Sequence, residues 1–228
     1  MKSISTYIII GAIAIFTGCD KNKAEKQTGA KENKGFFEKL FASNKEVPSK
    51  LKPVEYINWC EDQENELKQS KQIGDFTFSA FYQPHDYLAI KELNKGESVN
   101  SKEFEEKIKE YGEMTYCSFR LENSKTNGEL LKTDLSSDQQ YYGRLEYMSF
   151  KMQEDFKLIQ GNDTLPCSMY HFERIYSLAP YATFVLGFPK TDSKEDIKLW
   201  FHDKLFNNGI VILNFKTESI HNLPKLEI

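Results

Sequence analysis

The chain has 228 residues and is slightly acidic, with 30 basic and 34 acidic side chains and a formal net charge of −4 at pH 7. Proteins that bind nucleic acid concentrate positive charge on one face to contact phosphates, so this balance argues against nucleic acid as a partner. The 17 Phe and 12 Tyr residues predict a sizeable core that is rich in β-structure.

The N-terminus has the pattern of an export signal. A positively charged start precedes an apolar run of 10 residues from Tyr7 to Phe16. A membrane-spanning helix takes about 20 apolar residues, so this run is too short to cross a bilayer. Its length is typical of the apolar part of a secretory signal peptide. The run ends in Thr17-Gly18-Cys19, where a small residue precedes a cysteine.

The sequence Phe16-Thr17-Gly18-Cys19 resembles the lipobox of bacterial lipoproteins, and the resemblance covers residues 1–20. The family usually has Leu where this chain has Phe16. The resemblance implies cleavage after Gly18, diacylglycerol on the Cys19 sulfur and acylation of the new amino group. Several acyl chains together anchor a protein stably, whereas one binds only marginally. The prediction is a signal peptide over 1–18 and a lipid-anchored mature protein; an ordinary signal-peptide cysteine or an uncleaved anchor is the alternative.

A hydrophilic segment follows the cysteine. Residues 20–35 contain five Lys and three acidic residues but no large apolar side chain. Such a segment cannot bury enough surface to offset its chain entropy, which predicts a disordered tether over 19–35 and a single folded domain over 36–228. The lipobox, the tether and the aromatic body together resemble Bacteroidota-type envelope lipoproteins of Gram-negative bacteria. That resemblance implies a location in the cell envelope, anchored at the outer membrane.

The first part of the folded domain is predicted to be mainly helical. Residues with helical apolar spacing occur at 36–41, in part of 54–70, at 84–93 and at 101–113. Asn100 is placed to cap the last of these helices, with Glu103 three residues on as the second half of a capping box. Between the helices, the alternating apolar residues of 73–82 predict a strand.

From Met114 onward the sequence predicts mostly strands joined by short loops, a pattern that favours antiparallel sheets. The predicted strands cover 114–121, 143–152, 155–160, 164–176, 181–188, 197–201 and 210–216. Turns are predicted at 161–163 and 207–209, which contain Gly and Asn residues that tolerate positive φ. The predicted fold class is therefore α+β, with N-terminal helices followed by an antiparallel β-sheet or β-sandwich.

Three cysteines remain after the proposed lipidation site, namely Cys60, Cys117 and Cys167. None of them forms a C-x-x-C pair, so the zinc and redox motifs of that type are absent from the sequence. The odd number leaves at least one thiol unpaired. Three buried free thiols are the favoured interpretation, and a Cys117–Cys167 disulfide is the alternative.

The richest set of candidate site residues lies on the predicted strand 164–176, which places Cys167, His171 and Glu173 on one face. Cys167 and His171 would be about 13 Å apart along a strand. A nucleophile and its base must meet at about 3 Å, so this pair does not predict a thiol–imidazole dyad.

His171 and Glu173 would lie about 7 Å apart and could share a metal only with ligands from elsewhere. His202 and Asp203 are the available helpers, which gives a candidate polar cluster of these four residues. A structural polar pair at His171 and Glu173 is favoured over a metal site, because metal sites usually show tighter ligand spacing. The sequence has no H-E-x-x-H, G-x-S-x-G, P-loop or G-x-G-x-x-G motif, so we predict no catalytic residue, metal or cofactor.

Tyrosines at 141, 142 and 147, or at 170 and 176, could form a binding platform for sugars or peptides, although such residues more often pack in the core. The leading functional prediction is a lipid-anchored, non-enzymatic binding or assembly module. It would contact the membrane through Cys19 and bind an envelope protein. The alternative is an envelope hydrolase or metalloenzyme that uses His171 and Glu173.

Overall fold

The structure, a computed structural model, describes residues 47–93, 99–126, 128–173 and 179–228. The predicted signal peptide, Cys19, the tether and the predicted helix at 36–41 lie outside the described residues. Within the described ranges, none of the helices has both the length and the apolar character needed to cross a membrane.

Short strands and short helices alternate in the first half of the described chain, and strands dominate the second half. The strands are β1 (Lys50–Leu51), β2 (Lys68–Ile73), β3 (Phe76–Gln83), β4 (Met114–Asn123), β5 (Phe156–Gln160), β6 (Asp163–Pro166), β7 (Met169–Glu173), β8 (Tyr181–Pro189), β9 (Ile197–Asp203), β10 (Gly209–Phe215) and β11 (Lys225–Leu226). The α-helices are α1 (Pro53–Glu61), α2 (His85–Leu93), α3 (Ser101–Tyr111), α4 (Asp138–Glu146) and α5 (Thr217–His221).

The strands form two antiparallel sheets and one short parallel pair. The five-stranded sheet has the order β2-β3-β4-β8-β7, and the four-stranded sheet has the order β10-β9-β5-β6. The parallel pair joins β1 to β11, near the two ends of the described chain. Mixed helices and antiparallel sheets confirm the predicted α+β class.

Aromatic side chains from both sheets meet between them and form the main core. Phe119 on β4 lies 4.9 Å from Phe201 on β9 and 5.0 Å from Phe156 on β5, measured between ring centroids. Phe156 also stacks on Phe201 at 4.5 Å. All three side chains are almost completely buried. The inner faces of the two sheets therefore pack together as in a β-sandwich.

A second apolar cluster covers one end of the outer face of the five-stranded sheet. Phe81 points to this outer face, and its ring meets the edge of Tyr87 on α2 with centroids 5.0 Å apart. Tyr56 and Cys60 on α1 are fully buried in the same cluster. Helices α1 and α2 therefore cover one end of this sheet face and project above the uncovered remainder; this helical cover is called the wall below.

The segment 143–152, predicted as a strand, is helical instead. Helix α4 covers its start and continues into a π-helical turn over Tyr147–Lys151. The Ser137 side chain caps α4 by accepting a hydrogen bond from the Gln140 amide. Met148 and Met152 are fully buried, whereas Phe150 between them is 75% exposed. In a strand these three side chains would share one face, but a helix places residues four apart together and turns the residue between them away. The burial pattern of this segment therefore fits a helix and not the predicted strand.

The segment 164–176, predicted as one strand, contributes to both sheets. Its start forms β6 in the four-stranded sheet, and its next part forms β7 in the five-stranded sheet. Pro166, which ends β6, lacks the N–H that a continuing ladder would use. The Ser168 amide then donates to the Gly187 carbonyl, and the chain is thereby joined to the second sheet.

The helix predictions differ in their outcome. The predictions at 84–93 and 101–113 are confirmed as α2 and α3, and Asn100 caps α3 by accepting from the backbone amides that follow it. The prediction over 54–70 holds only to Glu61, where α1 ends. Residues from Lys68 onward belong to β2, whose pairing with β3 outweighs the local helical pattern.

Candidate functional site

His171 and Glu173 lie on β7, at the edge of the described five-stranded sheet, and both side chains are exposed. Tyr170 and Phe172, which alternate with them, turn inward and contact Phe184 at 5.7 Å and 5.1 Å between centroids. His171 and Glu173 therefore share the outer face of this sheet, as the predicted two-residue spacing requires.

His202 and Asp203 lie on β9 in the other sheet. Asp203 is only 1% exposed, and its carboxylate accepts hydrogen bonds from the backbone amides of Leu205, Phe206 and Asn208. The Asn208 side-chain amide donates to the same carboxylate at 2.7 Å. The role of Asp203 in the structure is thus to fix the loop between β9 and β10.

The structure does not bring these four residues together as one cluster. His202 lies beside Trp200, with ring centroids 6.0 Å apart, whereas Phe201 between them points into the core. His202 is therefore on the outer face of the four-stranded sheet, and the sandwich core separates it from His171. Within the described residues, no group of three or more His, Cys, Asp or Glu side chains is arranged to hold a metal ion.

The three cysteines are free thiols and are buried. Burial raises the pKa of Cys60, Cys117 and Cys167 to about 12 in each case. A thiol with a raised pKa stays protonated near neutral pH and is a poor nucleophile. The favoured interpretation of buried free thiols is therefore confirmed, and the alternative Cys117–Cys167 disulfide is absent.

A polar cleft of about 650 Å³ lies on the outer face of the five-stranded sheet. Its floor comes from four adjacent strands, because Ser70 pairs with Ser79, Ser79 with Arg120, and Arg120 with Thr183. Glu173 follows Thr183 in the same row. The predicted residue Glu173 and the central Arg120 are therefore two strands apart, which corresponds to about 10 Å.

Arg120 is the central charged group of the polar cleft. Its guanidinium lies 3.4 Å from the ring centroid of Tyr181, a cation–π contact. One terminal nitrogen, Nη2, donates to Glu122 at 2.9 Å, and the Arg120 side chain remains 42% exposed. The Nε–H is buried and has no hydrogen-bond partner in the described part of the chain. The Tyr181 ring thus orients a guanidinium whose donors are only partly used.

The wall of the polar cleft is also charged. Tyr87 donates to Glu61 at 2.7 Å, and Lys91 lies 3.4 Å from the same carboxylate. Burial alone would raise the pKa of Glu61, but the Tyr87 hydrogen bond and the positive charges of Lys91 and Lys68 together outweigh burial and lower the pKa. On the edge strand β2, the Lys68 Nζ lies 5.2 Å from the centroid of the Phe81 ring on β3. Of the three charged residues that line the cleft, Lys68 and Arg120 are positive and Glu61 is negative, so the lining carries one excess positive charge.

A second surface, the aromatic groove, lies between α4 with its π-turn and the edge strand β7. It has a volume of about 430 Å³. Phe150 and Tyr142 are 75% and 66% exposed in it, the highest values among the large apolar residues that the structure describes. The groove lining is Tyr142, Leu145, Glu146, Ser149, Phe150, Tyr170, His171 and Phe172. A π-turn such as the one that carries Phe150 is frequently found at functional sites.

The predicted tyrosine platform is only partly assembled. Tyr142 lines the aromatic groove, but Tyr141 donates to Glu129 and Tyr147 donates to Asp155 inside the domain. The Tyr170 hydroxyl donates to the Met148 carbonyl. Position 176 lies outside the described residues. No pattern in the sequence points to an exposed Phe150, because residues 143–152 read as a strand.

Comparison of the chain with protein-family models, with curated proteins and with solved structures finds no match.

Proposed function

We propose that the protein is a lipoprotein of the cell envelope, attached to the outer membrane through a lipid on Cys19. In this proposal it acts as a non-enzymatic binding or assembly module for a membrane-associated protein. The lipobox-like Phe16-Thr17-Gly18-Cys19 and the lysine-rich segment after it support the anchor and the tether. The main support for the binding role is the aromatic groove, in which Phe150 and Tyr142 are exposed.

The chemistry of the groove suits a protein partner. Aromatic side chains are enriched where protein interfaces are buried, and they supply much of the binding energy there. Phe150 and Tyr142 line the groove together with the apolar Leu145 and Phe172, and Glu146, which also lines it, forms an ion pair with Lys151 at 2.8 Å. Protein–protein interfaces commonly have an apolar centre with charged residues at the rim, and this groove has the same arrangement.

A lipid anchor strengthens such an interaction. It confines the domain to a shell near the membrane, which raises the effective concentration of partners in the same membrane. A weak interface can then be well occupied. An enzyme that acts on a freely diffusing substrate would gain little from this confinement.

The competing function, an envelope hydrolase or metalloenzyme that uses His171 and Glu173, has weaker support. Both side chains are exposed at a sheet edge, and His202 and Asp203 lie in the other sheet. A zinc site would need ligands at coordination distance, which these separate placements do not supply. One equivalent of bound zinc that is lost in His171→Ala, with the fold intact, would reverse this ranking.

The partner surface is tested by photo-crosslinking in intact cells. A photoreactive amino acid at position 150 should give a discrete adduct with an envelope protein, identified by mass spectrometry. The matched control is position 212, where an apolar Ile is 41% exposed on the outer face of the other sheet. Equal adducts at both positions, or adducts at 212 alone, would contradict the assignment of the aromatic groove.

The anchor is tested separately with Cys19→Ala. This variant should leave the detergent-requiring membrane fraction, because it lacks the thiol that receives diacylglycerol. A wild-type protein isolated with an unmodified N-terminus at Met1 would contradict the lipoprotein assignment.

A further inference from the structure

We propose that the polar cleft on the outer face of the five-stranded sheet binds an acidic sugar, with Arg120 as the residue that contacts the anionic group. The inference goes beyond the proposed partner binding, because the cleft and the aromatic groove have no lining residue in common. Its volume of about 650 Å³ falls in the ordinary range for small-ligand sites.

The anionic group of the ligand is assigned to Arg120. A guanidinium presents five N–H donors in a planar fork that matches a carboxylate or a phosphate. Glu122 engages Nη2, and the Tyr181 ring holds the plane of the guanidinium at 3.4 Å. The remaining donors at the cleft can therefore meet an incoming anion without a rearrangement of the side chain.

The hydroxyl groups of the sugar are assigned to the floor. Ser70, Ser79 and Thr183 lie in one row across the strands with Arg120, and Ser118 lies in the next row on the same face. Neighbouring strands are spaced at about 4.8 Å, so these side-chain hydroxyls form a grid of donors and acceptors. A neutral, apolar ligand would leave this grid unpaired, whereas a hydroxyl-rich ligand satisfies it.

The charged residues that line the cleft favour an anion over a cation. Glu61 is the acidic residue of the lining, and it is already held by Tyr87 and Lys91. Lys68 and Arg120 add positive charge on the same sheet face. The Arg120–Glu122 pair is partly exposed, and exposed pairs of this kind are weak. An anionic ligand can therefore compete with Glu122 for the guanidinium.

The test is calorimetric titration of the purified full-length protein in detergent micelles. The probes are a galacturonate trimer, glucose 6-phosphate, a neutral galactose trimer and a triglutamate peptide. At least one of the two acidic sugars should bind, about tenfold or more tightly than the neutral trimer. Preference for the galacturonate identifies a carboxylate ligand, and preference for glucose 6-phosphate identifies a phosphate ligand.

Variants separate a binding role of Arg120 from a structural one. Arg120→Gln should weaken binding of the acidic sugar by about tenfold or more. Glu122→Gln should strengthen it, because it removes the competing carboxylate from the guanidinium. Lys157→Gln is the matched control. Lys157 lies beside Trp200 on the outer face of the other sheet, so the variant removes one positive charge far from the cleft and should leave binding unchanged.

Four results would overturn the proposal: no acidic sugar binds, the neutral trimer binds as tightly, the triglutamate peptide binds more tightly than both acidic sugars, or Arg120→Gln binds like the wild type. If Arg120→Gln fails to fold, Ser79→Ala and Glu122→Gln decide the matter. The first should weaken binding, and the second should strengthen it. Opposite or absent effects in both variants would overturn the assignment.

Discussion

The outer faces of the two sheets occupy equivalent positions in the sandwich, yet their surfaces differ. On the five-stranded sheet, serine and threonine hydroxyls surround Arg120 beside a helical wall. On the four-stranded sheet, Trp200 pairs in register with Lys157 on one side and with Ile212 on the other. The first face encloses a cleft, and the second presents mixed apolar and basic side chains.

The difference between these faces comes from what packs on them. Phe81 is an outward-facing residue that α1 and α2 bury to 8% exposure, so the helices rise above the serines beside it. Ile210 and Ile212 are outward-facing on β10 and stay exposed. A helix pair packed over one end of a sheet thus turns a flat face into a concave one, which is the shape that ligand sites require.

The largest effect is expected when this helical wall loses its anchor. Phe81→Ala should lower the free energy of unfolding by about 3–5 kcal/mol, because it leaves a cavity among Tyr56, Cys60 and Tyr87. The measurement is urea unfolding of the purified protein. Ile212→Ala, on the exposed face of the other sheet, should change the same quantity by about 0.5 kcal/mol or less.

Equal losses in Phe81→Ala and Ile212→Ala would contradict the difference in packing between the two outer faces. That result would mean that the outer face of the four-stranded sheet is as well packed as the helical cluster. A large loss at Phe81 alone would show that the packing of the helices on the five-stranded sheet contributes strongly to the stability of the domain.

A smaller loss is expected at the end of β9, where Asp203 and His202 are adjacent but differ in role. Asp203→Ala removes the carboxylate that accepts from Leu205, Phe206 and Asn208. The unpaired amides should cost on the order of 3 kcal/mol in urea unfolding. Asp203→Asn should cost less, because one oxygen acceptor remains.

His202→Ala is the matched variant, since its side chain lies on the outer face and does not enter the loop. It should cost less than about 1 kcal/mol. If it costs as much as Asp203→Ala, His202 also stabilises the β9–β10 loop, and the roles of the two residues are not separate.

Much of the fold could be predicted from local patterns. The cap at Asn100, the alternation of Phe78 and Ala80, and the positive φ of Gly161 in the β5–β6 turn are all local features, and the structure confirms each one. The parallel pairing of β1 with β11 could not be predicted in this way, because it joins two-residue segments from distant parts of the sequence.

The candidate surfaces depend on long-range register, and the sequence indicated only fragments of them. Ser70, Ser79, Arg120 and Thr183 have no local motif, and they become neighbours only through the pairing of four strands. The alternation correctly predicts that His171 and Glu173 share one face of a strand. The expectation that His202 and Asp203 could join them is wrong, because these two residues lie on β9 in the other sheet.

The smallest expected effect is a pH dependence that originates at His85, in the helical cover of the five-stranded sheet. Its Nε2 lies 2.8 Å from the Met114 carbonyl, so this nitrogen donates and the neutral ring suffices. Burial lowers the pKa of His85 from its ordinary value of 6.5, and Lys190 lowers it further. The Met114 bond and Asp86 oppose this shift without reversing it.

Because the folded pKa of His85 is below the unfolded value of 6.5, the unfolded chain binds the proton first as the pH falls. The contribution of His85 is therefore fully present above about pH 6.5 and is lost as the pH falls toward its folded pKa. His85→Gln keeps a donor for Met114 but cannot titrate, so it should reduce the loss of unfolding free energy between about pH 7 and about pH 5. His202→Gln, on the outer face of the other sheet, should keep that loss, because His85 is still present. An unchanged slope in His85→Gln, measured by urea unfolding across this range, would show that other groups carry the acid sensitivity.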